Sequence, residues 1–179
     1  FLRSNLGLEL YRGVNEKEFE TKKHHSILPN RNADELKKFK AMGEIGYMSD
    51  KLNKSLKFIV NNPADYATRV MRRSIAFWTG DAWVDTIFWF YGRFAILKHI
   101  IFTLPTLFGF YGLYLMIRNK TTGDFLFLSL FIIYPAIYYL THTLPRFRFP
   151  IEPELIVLSA FALTQLFQSR IQPLFKSNS

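Results

Sequence analysis

Ile100-Ile101-Phe102-Thr103-Leu104-Pro105-Thr106-Leu107-Phe108-Gly109-Phe110-Tyr111-Gly112-Leu113-Tyr114-Leu115-Met116-Ile117 is a run of about eighteen residues without a charged side chain, close to the minimum that crosses hydrocarbon as a helix. Two more apolar runs follow, over residues 125–143 and 151–168. The polar turn Arg118-Asn119-Lys120-Thr121-Thr122-Gly123-Asp124 separates the first pair, and a proline-rich segment around residues 144–150 separates the second. Connections this short make neighbouring helices antiparallel. The expected fold is therefore an α-helical polytopic membrane protein, with about three transmembrane helices (100–117, 125–143 and 151–168) following a small, mainly helical extracytoplasmic domain over residues 1–76. Pro105 is expected to kink the first spanning helix, and Gly109 and Gly112 to let a neighbour approach closely.

Composition agrees with a chain of two unlike halves. Its 179 residues carry a net charge of +9 and are 49% hydrophobic and 17% aromatic, yet the mean hydropathy is only +0.05. The charged residues crowd the first 75 or so positions. There is no cysteine, which excludes disulfides and thiolate metal sites. Nothing at the start resembles a signal peptide, and a chain beginning at Phe1 is expected to be a piece of a longer polypeptide.

In the amino-terminal half, Leu6 to Leu10 with Gly7, followed by Gly13 and Asn15, reads as a strand or tight loop. Residues 17–31 read as loop. From Asp34 to Val60, Leu36, Phe39, Met42, Ile45, Met48, Leu52, Leu56 and Ile59 recur every three or four residues, which predicts one amphipathic helix with Gly43 and Gly46 as weak points. Asn32 and Glu35 form a capping box at its start. Asn62 and Pro63 open a second helix with an apolar side of Tyr66, Val70 and Phe77 and a basic side of Arg69, Arg72 and Arg73. Such a helix could lie on a membrane surface.

Residues 77–99, with Trp78, Trp83, Trp89 and Tyr91 among charged residues, are expected to be an interfacial aromatic segment. Arg118 and Lys120 fall on one side of the membrane with Arg170 and the tail at 171–179. The positive-inside rule makes that side cytoplasmic, so the 145–150 loop and the amino-terminal domain face outward.

The stretch Leu144-Pro145-Arg146-Phe147-Arg148-Phe149-Pro150-Ile151-Glu152-Pro153 carries the candidate chemistry. Arg146 and Arg148 would point the same way in an extended segment, and guanidinium forks suit phosphate. They could equally snorkel to headgroups. Glu152 and Glu154 complement the positive end of the last helix, and either could pair with an arginine. His142 either bonds a substrate phosphate or caps the preceding helix. His24 and His25 lack partners at metal-ligand spacing, Asp81 and Asp85 read as a solvated surface, and no cofactor is implied, although a divalent metal stays open. Anionic lipid is the nearer partner for the positive charge, and nucleic acid is not expected.

Three stretches in register, Arg3-Ser4-Asn5-Leu6-Gly7-Leu8-Glu9-Leu10-Tyr11-Arg12-Gly13-Val14-Asn15, Phe77-Trp78-Thr79-Gly80 and Pro145-Arg146-Phe147-Arg148-Phe149-Pro150-Ile151-Glu152-Pro153, resemble the carboxy-terminal part of bacterial GT-C membrane glycosyltransferases of the dolichyl-phosphate-mannose protein mannosyltransferase type. The resemblance implies a multi-pass enzyme of the inner (cytoplasmic) membrane that takes a sugar from a polyprenyl-phosphate donor. It places the catalytic aspartate in an amino-terminal half of the same polypeptide that lies outside this chain. It also puts the proline-flanked Arg146 and Arg148 where a lipid phosphate would bind, with the region from Asn5 to Asn15 and the helix beginning at Asp34 capping the cleft; His142 and Glu152 join them as candidate substrate-binding residues on the residue reading above. Val14 and Phe149 stand where the family more often has Asn and His. The alternatives from the residues alone are a non-catalytic anchor or assembly module, or a transporter fragment.

Overall fold

The computed structural model describes residues 5–15, 27–80 and 85–176, without side-chain detail at 85–96, 98 and 169–176. His24, His25, Asp81 and the side chains of Asp85, Trp83 and Trp89 lie outside the described residues. The protein is all-helical, 86% helix with no strand among the described residues. In chain order the helices are α1 (Leu6–Val14), α2 (Ala33–Asn61), α3 (Pro63–Thr79), α4 (Asp85–Arg118), α5 (Asp124–Leu140), a 3-10 helix (Pro145–Ile151) and α6 (Glu152–Lys176). They divide into two compact units, Phe1–Ser74 with Ile137–Thr143, and Ile75–Ala136 with Leu144–Ser179.

In the first unit, the strand or loop expected at Leu6 to Leu10 is instead helix α1. Its partner explains why. Gly7 lies on the backbone of α2, where an added Cβ would overlap the Met48 carbonyl, so the glycine that weakens a lone helix is what lets this one dock. Leu8, Ile27, Tyr47 and Met48 form the shared core. Asn32 caps α2 as expected, its side chain accepting from Asp34 and Glu35 N–H. The box does not close, because the Glu35 carboxylate turns inward to Lys51 Nζ at 2.7 Å and the Tyr47 hydroxyl at 2.6 Å. Burial raises the Glu35 carboxyl, but hydrogen bonds from Lys38, Lys51 and Tyr47 outweigh it and bring it from 4.5 down to about 2. The same burial and the Glu35 bond push the Tyr47 phenol up. Gly43, at φ 70°, ψ 170°, breaks the helical geometry inside α2, at one of the two weak points expected.

In the second unit, α4 and α6 pack side by side. A Cβ on Gly109 would come within 2.9 Å of Leu155 Cγ, and one on Gly112 would overlap the Leu158 carbonyl. The expected close approach is therefore real, and its partner is α6. Trp78, Phe110 and Phe131 cluster beside it, with ring centroids 4.8 to 5.9 Å apart. Two segments, His99–Arg118 and Pro145–Gln168, are long and apolar enough to cross a membrane. The helix expected over 125–143 stops at Leu140 after 17 residues, about 25 Å at 1.5 Å per residue.

Candidate functional site

The proline-flanked segment is not extended. Pro145–Ile151 is a 3-10 helix, in which residues two apart diverge by about 120° instead of sharing a face. Arg146 and Arg148 accordingly part company, which corrects the expectation that they point the same way. Arg146 is exposed, with its guanidinium 5.4 Å from the Phe147 ring centroid. Arg148 is fully buried.

Four of the five N–H donors of Arg148 are occupied. Nε and Nη2 form a fork on Glu152 at 2.8 and 3.2 Å. Nη1 donates to the carbonyls of Trp78 at 2.7 Å and Phe102 at 2.9 Å, and the guanidinium sits 4.9 Å from the Phe102 ring centroid. Trp78 lies in the last turn of α3, whose terminal carbonyls have no partner within the helix. A cation there also meets the negative helix end favourably. His99 serves the next carbonyl, with Nδ1 3.0 Å from Thr79 O, and the Thr106 hydroxyl lies 2.7 Å from Trp78 O. Arg148 is thus a positioning residue that fastens α3, α4 and the start of α6 together, and Glu152 is its counter-ion, one of the pairings the sequence left open.

The remaining candidate belongs to the other unit. His142 Nδ1 lies 2.8 Å from Glu9 Oε2, and Arg12 Nη1 donates to the same oxygen at 3.2 Å. Burial raises the Glu9 carboxyl, but the His142 hydrogen bond and the charges of His142 and Arg12 prevail and hold it below the ordinary value. Of the four residues singled out, the structure joins Arg148 to Glu152, sets Arg146 facing outward on the same turn, and places His142 on Glu9 of α1.

A second buried arginine escaped the sequence reading. Arg73 donates from Nε to Tyr139 O at 2.7 Å and from Nη1 to Gly13 O at 2.9 Å, serving the carboxy-terminal turns of α5 and α1 at once. Arg69 is buried too, on Asp65 at 2.8 Å. The signal was in the spacing: Tyr66, Arg69, Val70, Arg73 and Phe77 lie three or four apart on one stripe. The supposed basic face is therefore the inward one, and Arg72 alone of the three faces out.

Among the described residues no three His, Asp or Glu side chains converge as metal ligands would. No known protein family, curated protein or solved structure matches the chain.

Proposed function

We propose that the chain is a membrane-embedded portion of a glycosyltransferase that uses a polyprenyl-phosphate sugar donor, with Arg146 contacting the lipid phosphate at the outer membrane edge. One observation carries the membrane part. The two candidate spans are only 28% and 22% buried within the structure, and their outward side chains are large and apolar, as at Leu107 (61% exposed) and Val157 (59%). A core helix of a water-soluble protein hides such residues, whereas a lipid-facing one displays them. On this reading α5 makes a third, shorter crossing, its 17 residues falling short of the ~30 Å of hydrocarbon.

The enzymatic part rests on the ordered resemblance of three segments together with the exposed fork of Arg146. Arg148 and Glu152 hold the 3-10 turn rigid, so the neighbouring guanidinium is presented without a large ordering penalty. A phosphate leaving group gains charge in the transition state, and a fixed cation beside it lowers the barrier. The catalytic aspartate would come from the preceding half of the polypeptide.

The test is sugar transfer from a polyprenyl-phosphate donor by the full-length polypeptide carrying Arg146→Ala. Loss of one charge-assisted contact is expected to slow transfer about tenfold to a hundredfold without changing thermal stability. Arg146→Lys recovers part of that if charge matters more than the fork. Unchanged transfer in Arg146→Ala removes the phosphate role and leaves an anchoring module.

A further inference from the structure

We propose that the outward stripe of α3, centred on Met71 and Arg72, rests on an anionic lipid surface. The inference depends on the membrane reading above and is independent of the sugar-transfer reading. It also reverses the orientation expected from the sequence, since Arg69 and Arg73 face inward.

The stripe follows from helical spacing. Ala64, Ala67, Thr68, Met71 and Arg72 recur at three- and four-residue intervals and are all exposed, Met71 at 63%. The opposite side is consumed by Arg69 and Arg73, through the Asp65 pair and the carbonyls of Gly13 and Tyr139. Just before α3, the end of α2 displays Leu56, Lys57 and Val60, the last 77% exposed. Single exposed apolar residues are ordinary. Their company is not ordinary here: Lys57 and Arg72 are exposed among them, and the one acid in residues 51–80, Asp65, is already bound to Arg69.

The outward side therefore combines short apolar side chains with unopposed cations, the composition of a helix lying in a headgroup layer. Charge complementarity selects an anionic surface over a neutral one. Chain continuity keeps the helix close to lipid, because α3 leads through Gly80 and four residues to α4, whose His99–Arg118 stretch is long enough to span. Docking is consequently local to the molecule and need not be strong to be populated.

The absence of cysteine allows clean single-site labelling. Met71→Cys, Glu44→Cys on exposed α2 and Leu107→Cys on α4 would each carry a polarity-sensitive fluorophore. The full chain is reconstituted into vesicles of phosphatidylcholine with or without phosphatidylglycerol, and quenched by nitroxide lipid or by aqueous iodide. The label at 71 is expected to be quenched from the lipid side when phosphatidylglycerol is present, and the label at 44 from water. Lys57→Gln and Arg72→Gln should each reduce the docked-to-free ratio about fivefold and together erase the preference for anionic lipid. Iodide quenching at 71 as strong as at 44 in both lipids overturns the proposal. So does a label at 71 shielded from both quenchers, the signature of a protein partner. The label at 107 separates the failures: lipid quenching at 107 with water exposure at 71 rejects docking alone, while water exposure at both rejects docking and membrane insertion together.

Discussion

Replacing Arg148 with alanine deletes a fully buried cation and takes a donor from Glu152 and from the Trp78 and Phe102 carbonyls. Breaking a buried ion pair by removing one partner costs about 3–5 kcal/mol. The Glu152 side chain is 28% exposed, so water recovers part of its solvation and the low end, about 3 kcal/mol, applies. The Thr106 hydroxyl lies 2.7 Å from both the Trp78 and Phe102 carbonyls and has one proton to give, so it can serve one of them, and the other's loss adds about 1 kcal/mol. The sum is about 3–4 kcal/mol, a large share of the stability of a domain this size. Arg148→Lys retains charge but not the fork and should lose about 1–2 kcal/mol. The double variant Arg148→Met with Glu152→Gln no longer strands a charge, and should return to within about 2 kcal/mol of the parent. Unfolding of the purified full chain in detergent, followed by circular dichroism against denaturant, measures all four. Arg148→Ala within about 0.5 kcal/mol of the parent, or a double variant less stable than the single, would refute the reasoning.

Three further outcomes can be checked on the same preparation. Gly112→Ala forces a methyl onto the Leu158 carbonyl and should destabilise by about 1–3 kcal/mol, whereas Gly46→Ala, whose Cβ would meet only Met42 Cβ at 3.5 Å, should be neutral or slightly stabilising. The Glu35 carboxyl is depressed from 4.5 to about 2, so its contribution is complete above pH 4.5 and fades as pH falls toward 2; Glu35→Gln should lose about 2 kcal/mol at neutral pH and flatten the acid limb of a stability profile. Asn32→Ala removes the bonds to Asp34 and Glu35 N–H and should lower stability by about 1 kcal/mol, read as a shift in the denaturant midpoint.

Where local chemistry decides, the sequence was readable. The α2 start at Asn32 and the α3 start at Pro63 follow from capping and proline geometry, and the three- and four-residue recurrence marked α2 over nearly its full length. Gly109 and Gly112 announced a close helix contact, though not that α6 would fill it. Long-range partners erased other signals. Helix α1 is only nine residues long, marginal alone, and exists because Gly7 seats it on α2. The 3-10 turn at Pro145–Ile151 is bound through Trp78 and Phe102, carbonyls with no side-chain signature. Glu152 was legible as a partner for one of the arginines, but nothing in the sequence chose Arg148 over Arg146. Arg69 and Arg73 are different: their stripe with Tyr66, Val70 and Phe77 is visible in the three- and four-residue spacing, but sorting the helix by charge puts them on a basic side with Arg72.

The latch made by Arg148 also imposes an order of assembly. Its acceptors at Trp78 and Phe102 precede it by 70 and 46 residues, so at about 5–20 residues per second the α3 terminus waits roughly 4–14 s for its cation during synthesis. Until then the Trp78 carbonyl lacks the Arg148 donor. The latch closes from its late end: a chain halted before Pro145 already has the His99 and Thr106 contacts between α3 and α4 but lacks the cation that ties both helices to the start of α6.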